Sequence, residues 1–223
     1  IGQGTHVSTI ERLYSSFLSE QVNRSQSSAS ELASYAAQIA EIDNMLADPS
    51  TGLAPALQEF FEGVQQVAAN PSLLPSRQVM LSSAQALSAR YQAIGGRLEQ
   101  IYADIDGQVV ASVASINAYG EQIAALNQRI GVAEASSGQP ANDLRDSRDR
   151  LLLDLNKLVK ARVTVADDGG YNVFIGSGQQ LVVGAEFNAL TTVASASDRT
   201  RLVVGLQTAL GVQEMPERLI SGG

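Results

Sequence analysis

The sequence predicts a mainly α fold, a long antiparallel helical bundle or rod that carries a small antiparallel β-meander at one end. Apolar residues recur at steps of three and four from Pro75 to about Ala133, without a break strong enough to end a helix. After Arg162 the apolar period changes from helical to alternating, as in strands. Aromatic residues make up only 5% of the chain and Trp is absent, so the core is expected to consist of small aliphatic side chains that suit slender helix packing.

The long helix is predicted over about residues 75–136 because a heptad seam runs along it. Gly95, Gly96 and Gly120 interrupt the pattern, and each glycine inside a helix costs about 1 kcal/mol relative to alanine. Partner helices are therefore expected to cover the seam and offset that cost. The seam consists of Ala84, Leu87, Tyr91, Ile94, Leu98, Ile101, Ile105, Val109, Val113, Ile116, Ile123, Leu126 and Ile130.

Three further helices are predicted, at about residues 8–47, 55–70 and 142–161. Ser8 and Glu11 have the spacing of a capping box at the start of the first helix. Asn142 is expected to be the N-cap of the last one. These helices define a helical region of residues 1–161, followed by a β region and tail over 162–223.

The β region is predicted to begin with three strands, near residues 163–165, 171–175 and 181–183. Glycine-rich turns at 167–170 and 176–178 separate them. Two more strands, 190–194 and 201–206, are expected to complete one small antiparallel sheet.

Composition narrows the possible functions. The chain has 15 Lys and Arg against 23 Asp and Glu, a net charge of −8, and no basic run, which argues against a nucleic-acid partner. It has no Cys, so disulfides, thiolate metal sites and thiol catalysis are excluded. No apolar run approaches the roughly 18 residues of a membrane span. The chain runs from Ile1 to Gly223 and is expected to be a piece of a longer protein.

No catalytic, cofactor-binding or metal-binding residue is predicted, and the protein is not expected to be an enzyme. His6 is the only histidine. The segments 167–170 and 176–178 are interpreted as turns, not as a calcium loop or a phosphate loop. Tyrosines at 91, 102 and 119 are interpreted as packing residues. A mixed charged group is expected to lie on a solvated helix face as dipole and i,i+4 partners: Asp143, Arg145, Asp146, Arg148, Asp149 and Arg150.

Several motifs occur together in one order along the chain. They are Asn70-Pro-Ser with Arg77-Gln and Ala84-Gln-Ala-Leu87, Ile116-Asn117 with Gln122-Ile-Ala-Ala-Leu-Asn127, Asn142-Asp-Leu with Arg148-Asp, and Asp168-Gly-Gly-Tyr-Asn-Val-Phe-Ile-Gly176 followed by Gly178-Gln and Leu181-Val-Val-Gly184. In this combination the sequence resembles the FlgK family of flagellar hook-associated proteins over nearly its whole length. One departure is Arg145, which stands where the family commonly has leucine and suggests a more exposed start of that helix.

The resemblance implies a structural, non-enzymatic subunit of the bacterial flagellum, in the ring between hook and filament. It implies export through the flagellar type III apparatus and an extracellular location. The implied partners are the hook protein, the second hook-associated junction protein and further copies of the same protein. The resemblance also implies that the family's terminal segments and outer domain lie outside this chain, and the isolated piece is then expected to be soluble and mostly monomeric.

Two other functions stay open on the sequence alone. A secreted coiled-coil binding or adhesin module fits the heptads equally well, although it does not require a β-meander. Another axial protein of the flagellin type shares the helical plan. The Asn-Asp-Leu helix start and the Gly-Gly-Tyr-Asn-Val hairpin favour the hook-associated family.

Overall fold

The computed structural model describes residues 16–48, 52–208, 211–216 and 220. Four helices contain about two thirds of these residues: α1 (Ser16–Ala47), α2 (Leu53–Ala69), α3 (Leu74–Ser137) and α4 (Asn142–Leu158). The predicted mainly α fold is confirmed, and α3 is one continuous helix of 64 residues, as the seam indicated. The predicted capping box at Ser8 and Glu11 and the lone His6 lie outside the described residues.

The strands form two separate antiparallel sheets, where the sequence predicted one. The first sheet has the order β1-β2-β3-β4 and the second has the order β5-β6-β7. The two short strands β4 and β7 were missed, because two to four residues are too few to show alternation. The strands are β1 (Ala161–Val165), β2 (Tyr171–Ile175), β3 (Gln179–Val183), β4 (Glu186–Phe187), β5 (Leu190–Ala194), β6 (Leu202–Thr208) and β7 (Gly211–Glu214).

The chain divides into two compact units. One unit comprises Ile1–Ser34 together with Asp106–Gly223, and the other is Tyr35–Ile105. Helices α1 and α3 therefore contribute to both. The predicted division into residues 1–161 and 162–223 stays a prediction, since compact units need not coincide with folding domains.

The core of the larger unit lies between the second half of α3, helix α4 and the sheets. The seam of α3 is buried from Val113 to Ile130, as predicted. Each such aliphatic side chain contributes roughly 1.5–3 kcal/mol when it is withdrawn from water. The strongly buried members of this core include Ile116, Ile123, Leu152, Leu155, Val173, Ile175, Leu181 and Val182.

In the unit Tyr35–Ile105 the seam is only half covered. Ile101 is buried, but Leu87, Ile94 and Leu98 are partly exposed and Tyr91 is exposed. The seam is therefore covered along the second half of α3, by the sheets as well as by helix α4, and the expected cover by partner helices is wrong for the first half.

Helix α2 packs closely on α3 through Gly63. A Cβ at this position would lie 3.1 Å from the Cα of Met80 and 2.9 Å from the Oγ of Ser83. The absence of a side chain thus allows the two backbones to approach. The Arg97 guanidinium bonds the Glu41 carboxylate at 3.2 Å and joins α3 to α1 in the same unit.

The boundaries of α4 differ from the prediction at both ends. Its N-cap is Ala141, not Asn142, and no side chain caps the helix there. Glu134 instead accepts the Ala141 N–H at 2.9 Å. The helix ends at Leu158 rather than near Ala161, because Ala161 already begins β1.

Gly120 has a packing role that explains its place inside α3. A Cβ here would lie only 2.6 Å from the ring of Phe187 on β4. At Gly131, in the same helix and the same unit, a Cβ would meet nothing within 4 Å. The two glycines therefore carry the same helix-propensity cost relative to alanine, but only Gly120 is in close contact with another side chain.

This contrast predicts opposite effects of two alanine substitutions on thermal stability. Gly131→Ala should raise the melting temperature by about 2–4 °C, because it removes about 1 kcal/mol of helix cost. Gly120→Ala should lower it, because the displaced Phe187 ring costs about 1–3 kcal/mol of packing. Thermal melts followed by circular dichroism measure both. A rise of equal size in both variants would show that Phe187 does not pack on Gly120.

Candidate functional site on helix α3

Three polar side chains of α3 bind the first residues of three strands. Asp106, Asn117 and Asn127 are 11 and 10 residues apart, close to three helical turns each, so they lie along one side of the helix. We call these three residues the α3 anchors. Each contacts backbone groups that have no strand partner among the described residues.

Asn127 occupies the place of a missing section of the β2–β3 ladder. Its Nδ2 donates to the carbonyl oxygens of Tyr171 at 2.8 Å and Gly184 at 2.6 Å. Its Oδ1 accepts the Tyr171 N–H at 3.0 Å. Next to it, the Asn172 Oδ1 accepts the Gly184 N–H at 2.9 Å. One amide side chain, 7% exposed, thus bonds the backbone of both strand ends.

Arg148 of α4 completes this network from the other side. Its Nη1 donates to the Asn127 Oδ1 at 2.8 Å and to the Gly169 carbonyl at 3.1 Å. Its guanidinium lies 3.5 Å from the centroid of the Tyr171 ring, within cation–π distance. The Tyr171 hydroxyl in turn donates to Asp149 at 2.8 Å. Helices α3 and α4 and strand β2 therefore meet at one polar cluster.

Arg148 corrects the expectation of a solvated charged helix face. It is only 2% exposed, and among the described residues its Nε has no hydrogen-bond partner. Burial lowers the pKa of Arg148, while Tyr171 and Asp149 act in the opposite direction. Arginine nonetheless stays charged in proteins, so a permanent cation is held among carbonyl oxygens and an aromatic face.

The second sheet is anchored to α3 in the same manner. Asn117 donates to the Leu190 carbonyl at 2.8 Å and accepts the Leu190 N–H at 2.8 Å. Asp106 accepts the Leu202 N–H at 3.2 Å. The first residues of β5 and β6 are thus both bound to α3. Asn117 thus binds both backbone groups of Leu190, the residue at which β5 begins.

Asn156 performs a related role inside the turn from α4 to β1. It is fully buried, donates to the Leu152 carbonyl at 2.9 Å and accepts the Ala161 N–H at 3.1 Å. The anchoring roles of these asparagines were missed from the sequence. The available signal was an amide residue directly after a seam residue, as in Ile116-Asn117 and Leu126-Asn127.

Glu134 and Arg145 close the connection between α3 and α4. Arg145 donates through Nε and Nη2 to the two carboxylate oxygens of Glu134, both at 2.7 Å. The Arg145 hydrogen bond lowers the pKa of Glu134; burial opposes the shift, and the Ala141 N–H adds to it. Arg145 therefore binds a partner on α3, where the sequence suggested a more exposed helix start.

The glycine-rich segments are turns, as predicted. Gly169 and Gly178 have φ angles of 78° and 114°, which glycine adopts without strain. Within the described ranges, no group of three or more His, Cys, Asp or Glu side chains could hold a metal ion. None of the helices in the described part of the chain is long and apolar enough to cross a membrane. The α3 anchors instead position strands β2, β5 and β6 against the helix.

Removal of the Asn127 amide should destabilise the protein strongly. Asn127→Ala removes the side-chain partner of the two buried backbone groups of Tyr171 and of the half-buried Gly184 carbonyl, and we expect a loss of about 3–5 kcal/mol in the free energy of unfolding. Asn117→Ala leaves the N–H and the carbonyl of Leu190 without this partner and should lower the free energy of unfolding by about 2–3 kcal/mol. The control Gln128→Ala, at an exposed neighbouring position, should stay within about 0.5 kcal/mol of the parent. Urea unfolding measures all three. A cost for Asn127→Ala no larger than that of the control would contradict the anchoring role.

Stability should fall in acid partly through Glu134. Its folded-state pKa lies below the usual 4.5, so its contribution is present above about pH 4.5 and is lost as the pH falls through the folded-state pKa. Glu134→Gln should be less stable than the parent at neutral pH and should lose part of this acid dependence. Urea unfolding at several pH values tests this. Parallel pH curves for the two proteins would rule out the contribution.

Comparison with known proteins identifies the family. The model of the flagellar hook-associated protein FlgK helical domain matches residues 39–223. The flagellar hook-associated protein 1 of Salmonella typhimurium is 36% identical over 225 aligned residues, which cover 100% of this chain and 41% of that protein. The Escherichia coli protein of the same name is 32% identical over the same shares. The chain thus spans about two fifths of the length of these relatives.

A solved structure agrees. The flagellar hook junction protein FlgK from Burkholderia pseudomallei matches with a TM-score of 0.83 and 34% identity, over 92% of this chain and 37% of that chain. The family model and the Salmonella relative both cover the segment that contains the α3 anchors and both sheets. The chain belongs to the FlgK family of flagellar hook-associated proteins.

Proposed function

We propose that the full-length protein is a non-enzymatic structural subunit that joins the hook to the filament of the bacterial flagellum. The observation that carries this proposal is the family match over residues 39–223. The relatives are named flagellar hook-associated protein 1, and the similar solved structure is that of a flagellar hook junction protein.

The geometry of the larger unit suits a subunit that carries load. Asn117 and Asn127 each bond a strand through both their oxygen and their nitrogen, so each sheet is attached to α3 by hydrogen bonds as well as by apolar packing. Bonds of this kind are directional, and a shift of the sheet along the helix would break them. We infer that this region supplies a stiff part of the subunit.

The proposed partners follow from the same function. They are the hook protein, the second hook-associated junction protein and further copies of the same chain within a ring. The protein would be exported through the flagellar apparatus and act outside the cell. The 223-residue chain alone is not expected to build open-ended polymers, since it corresponds to only 41% of the Salmonella relative.

A deletion and localisation experiment tests the proposal. Cells that lack the full-length gene should make hooks without attached filaments and release filament subunits into the medium. The full-length gene should restore filaments and swimming. In restored cells, gold-labelled antibodies against this chain should mark the distal end of the hook in electron micrographs.

The alternatives give different results. Normal filaments together with lost surface adhesion would favour a secreted adhesin module. Label along the whole filament would favour a flagellin-type axial protein. Either result would overturn the junction function, whereas failure of the 223-residue chain to restore swimming in the same cells is expected.

A further inference from the structure

Strand β1 is an open edge of the first sheet. Of the described strands it pairs with β2 alone, and Ala166 continues the pairing by donating its N–H to the Gly170 carbonyl at 2.8 Å. Hydrogen-bonded and non-bonded pairs alternate in an antiparallel ladder. The backbone groups of Thr164 and Arg162 therefore point towards β2, and those of Val163 and Val165 point away from it. Among the described residues, these outward groups have no strand partner.

Val165 is an unusual residue for such an edge. It lies opposite Tyr171, on the face of the sheet whose other residues, including Val173 and Ile175, are buried in the core. Val165 itself is 60% exposed. An apolar side chain on the inner face thus extends past the helices that cover its neighbours. Open edges with exposed apolar residues favour pairing with another strand.

The charges beside β1 are arranged to match a second copy of the same strand. Lys160 and Arg162 lie at its beginning, and Asp167 and Asp168 lie in the turn after its end. When two copies pair antiparallel with Val163 opposite Val165, the basic beginning of each strand meets the acidic turn of the other. This register also brings the outward backbone groups of the two edges together as hydrogen-bonded pairs. Opposite charges across such a pair are stabilising, and like charges are destabilising.

We propose that the chain forms a two-fold dimer in which the β1 edges of two copies pair antiparallel and join their first sheets into one of eight strands. Such an interface uses the same patch on both copies and closes on itself, so it produces dimers and no open-ended polymer. One strand pair is a small interface, in the range of weak and transient contacts. The chain accordingly stays mostly monomeric when dilute. This inference does not depend on the proposed function.

Sedimentation equilibrium of the 223-residue chain from micromolar to millimolar concentration tests the dimer. The average mass should rise from one copy towards two and then level off. Val165→Lys should abolish the rise, because it places a charge on the edge and removes the apolar contact. The control Val212→Lys alters another exposed valine on a different edge strand and should leave the rise unchanged.

A charge exchange tests the register separately. Lys160→Glu should weaken the dimer because acidic groups then meet at both ends, and Asp167→Lys should weaken it because basic groups do. A mixture of the two variants should restore it, since every end is again complementary. Circular dichroism should show all variants folded. A mass that stays at one copy for the parent at every concentration would overturn the proposal, as would a dimer that survives Val165→Lys or a mixture that does not recover.

Discussion

The larger unit depends on the Asn127 amide, which is inserted between the start of β2 and the end of β3. The side chain bonds the backbone of Tyr171 and Gly184 and receives the guanidinium of Arg148. Because it reaches strands on one side and α4 on the other, α3 cannot move relative to either without breaking hydrogen bonds. The apolar core could tolerate small shifts, since hydrophobic burial is not directional. The directional hydrogen bonds of the Asn127 side chain prevent such shifts.

The polar cluster is stabilising only because nearly all of its groups are paired. A buried amide or guanidinium that loses its partner costs far more than an average hydrogen bond contributes. Arg148 is only partly paired: among the described residues its Nε has no hydrogen-bond partner, while its Nη1 makes two bonds. The Tyr171 ring beneath the guanidinium supplies further compensation. We infer that the cluster contributes mainly to a unique arrangement of helix and sheet, and less to net stability.

The helices could be predicted from the sequence because their signal is local. The seam from Val113 to Ile130 indicated both the helix and the buried face correctly. The anchors could not be predicted, because an asparagine beside a seam residue can face solvent or a strand, and only the tertiary arrangement decides which. Arg148 shows the same limit: its charged neighbours suggested a solvated face, yet its position opposite Asn127 buries it. Strands β5 and β6 were predicted, but their separation from the first sheet was not, because local alternation does not tell which strands pair.

Native-state hydrogen exchange of individual amides tests the anchoring account most directly. The N–H groups of Tyr171 and Leu190 bond side chains of α3 and, in the described part of the chain, no neighbouring strand. If the anchors hold as described, these amides should exchange as slowly as amides in the buried ladder of β2 and β3, while the outward Val165 amide on the open edge of β1 exchanges quickly in dilute protein. Exchange of Tyr171 and Leu190 at the rate of Val165 would contradict the claim that α3 fixes the two sheets.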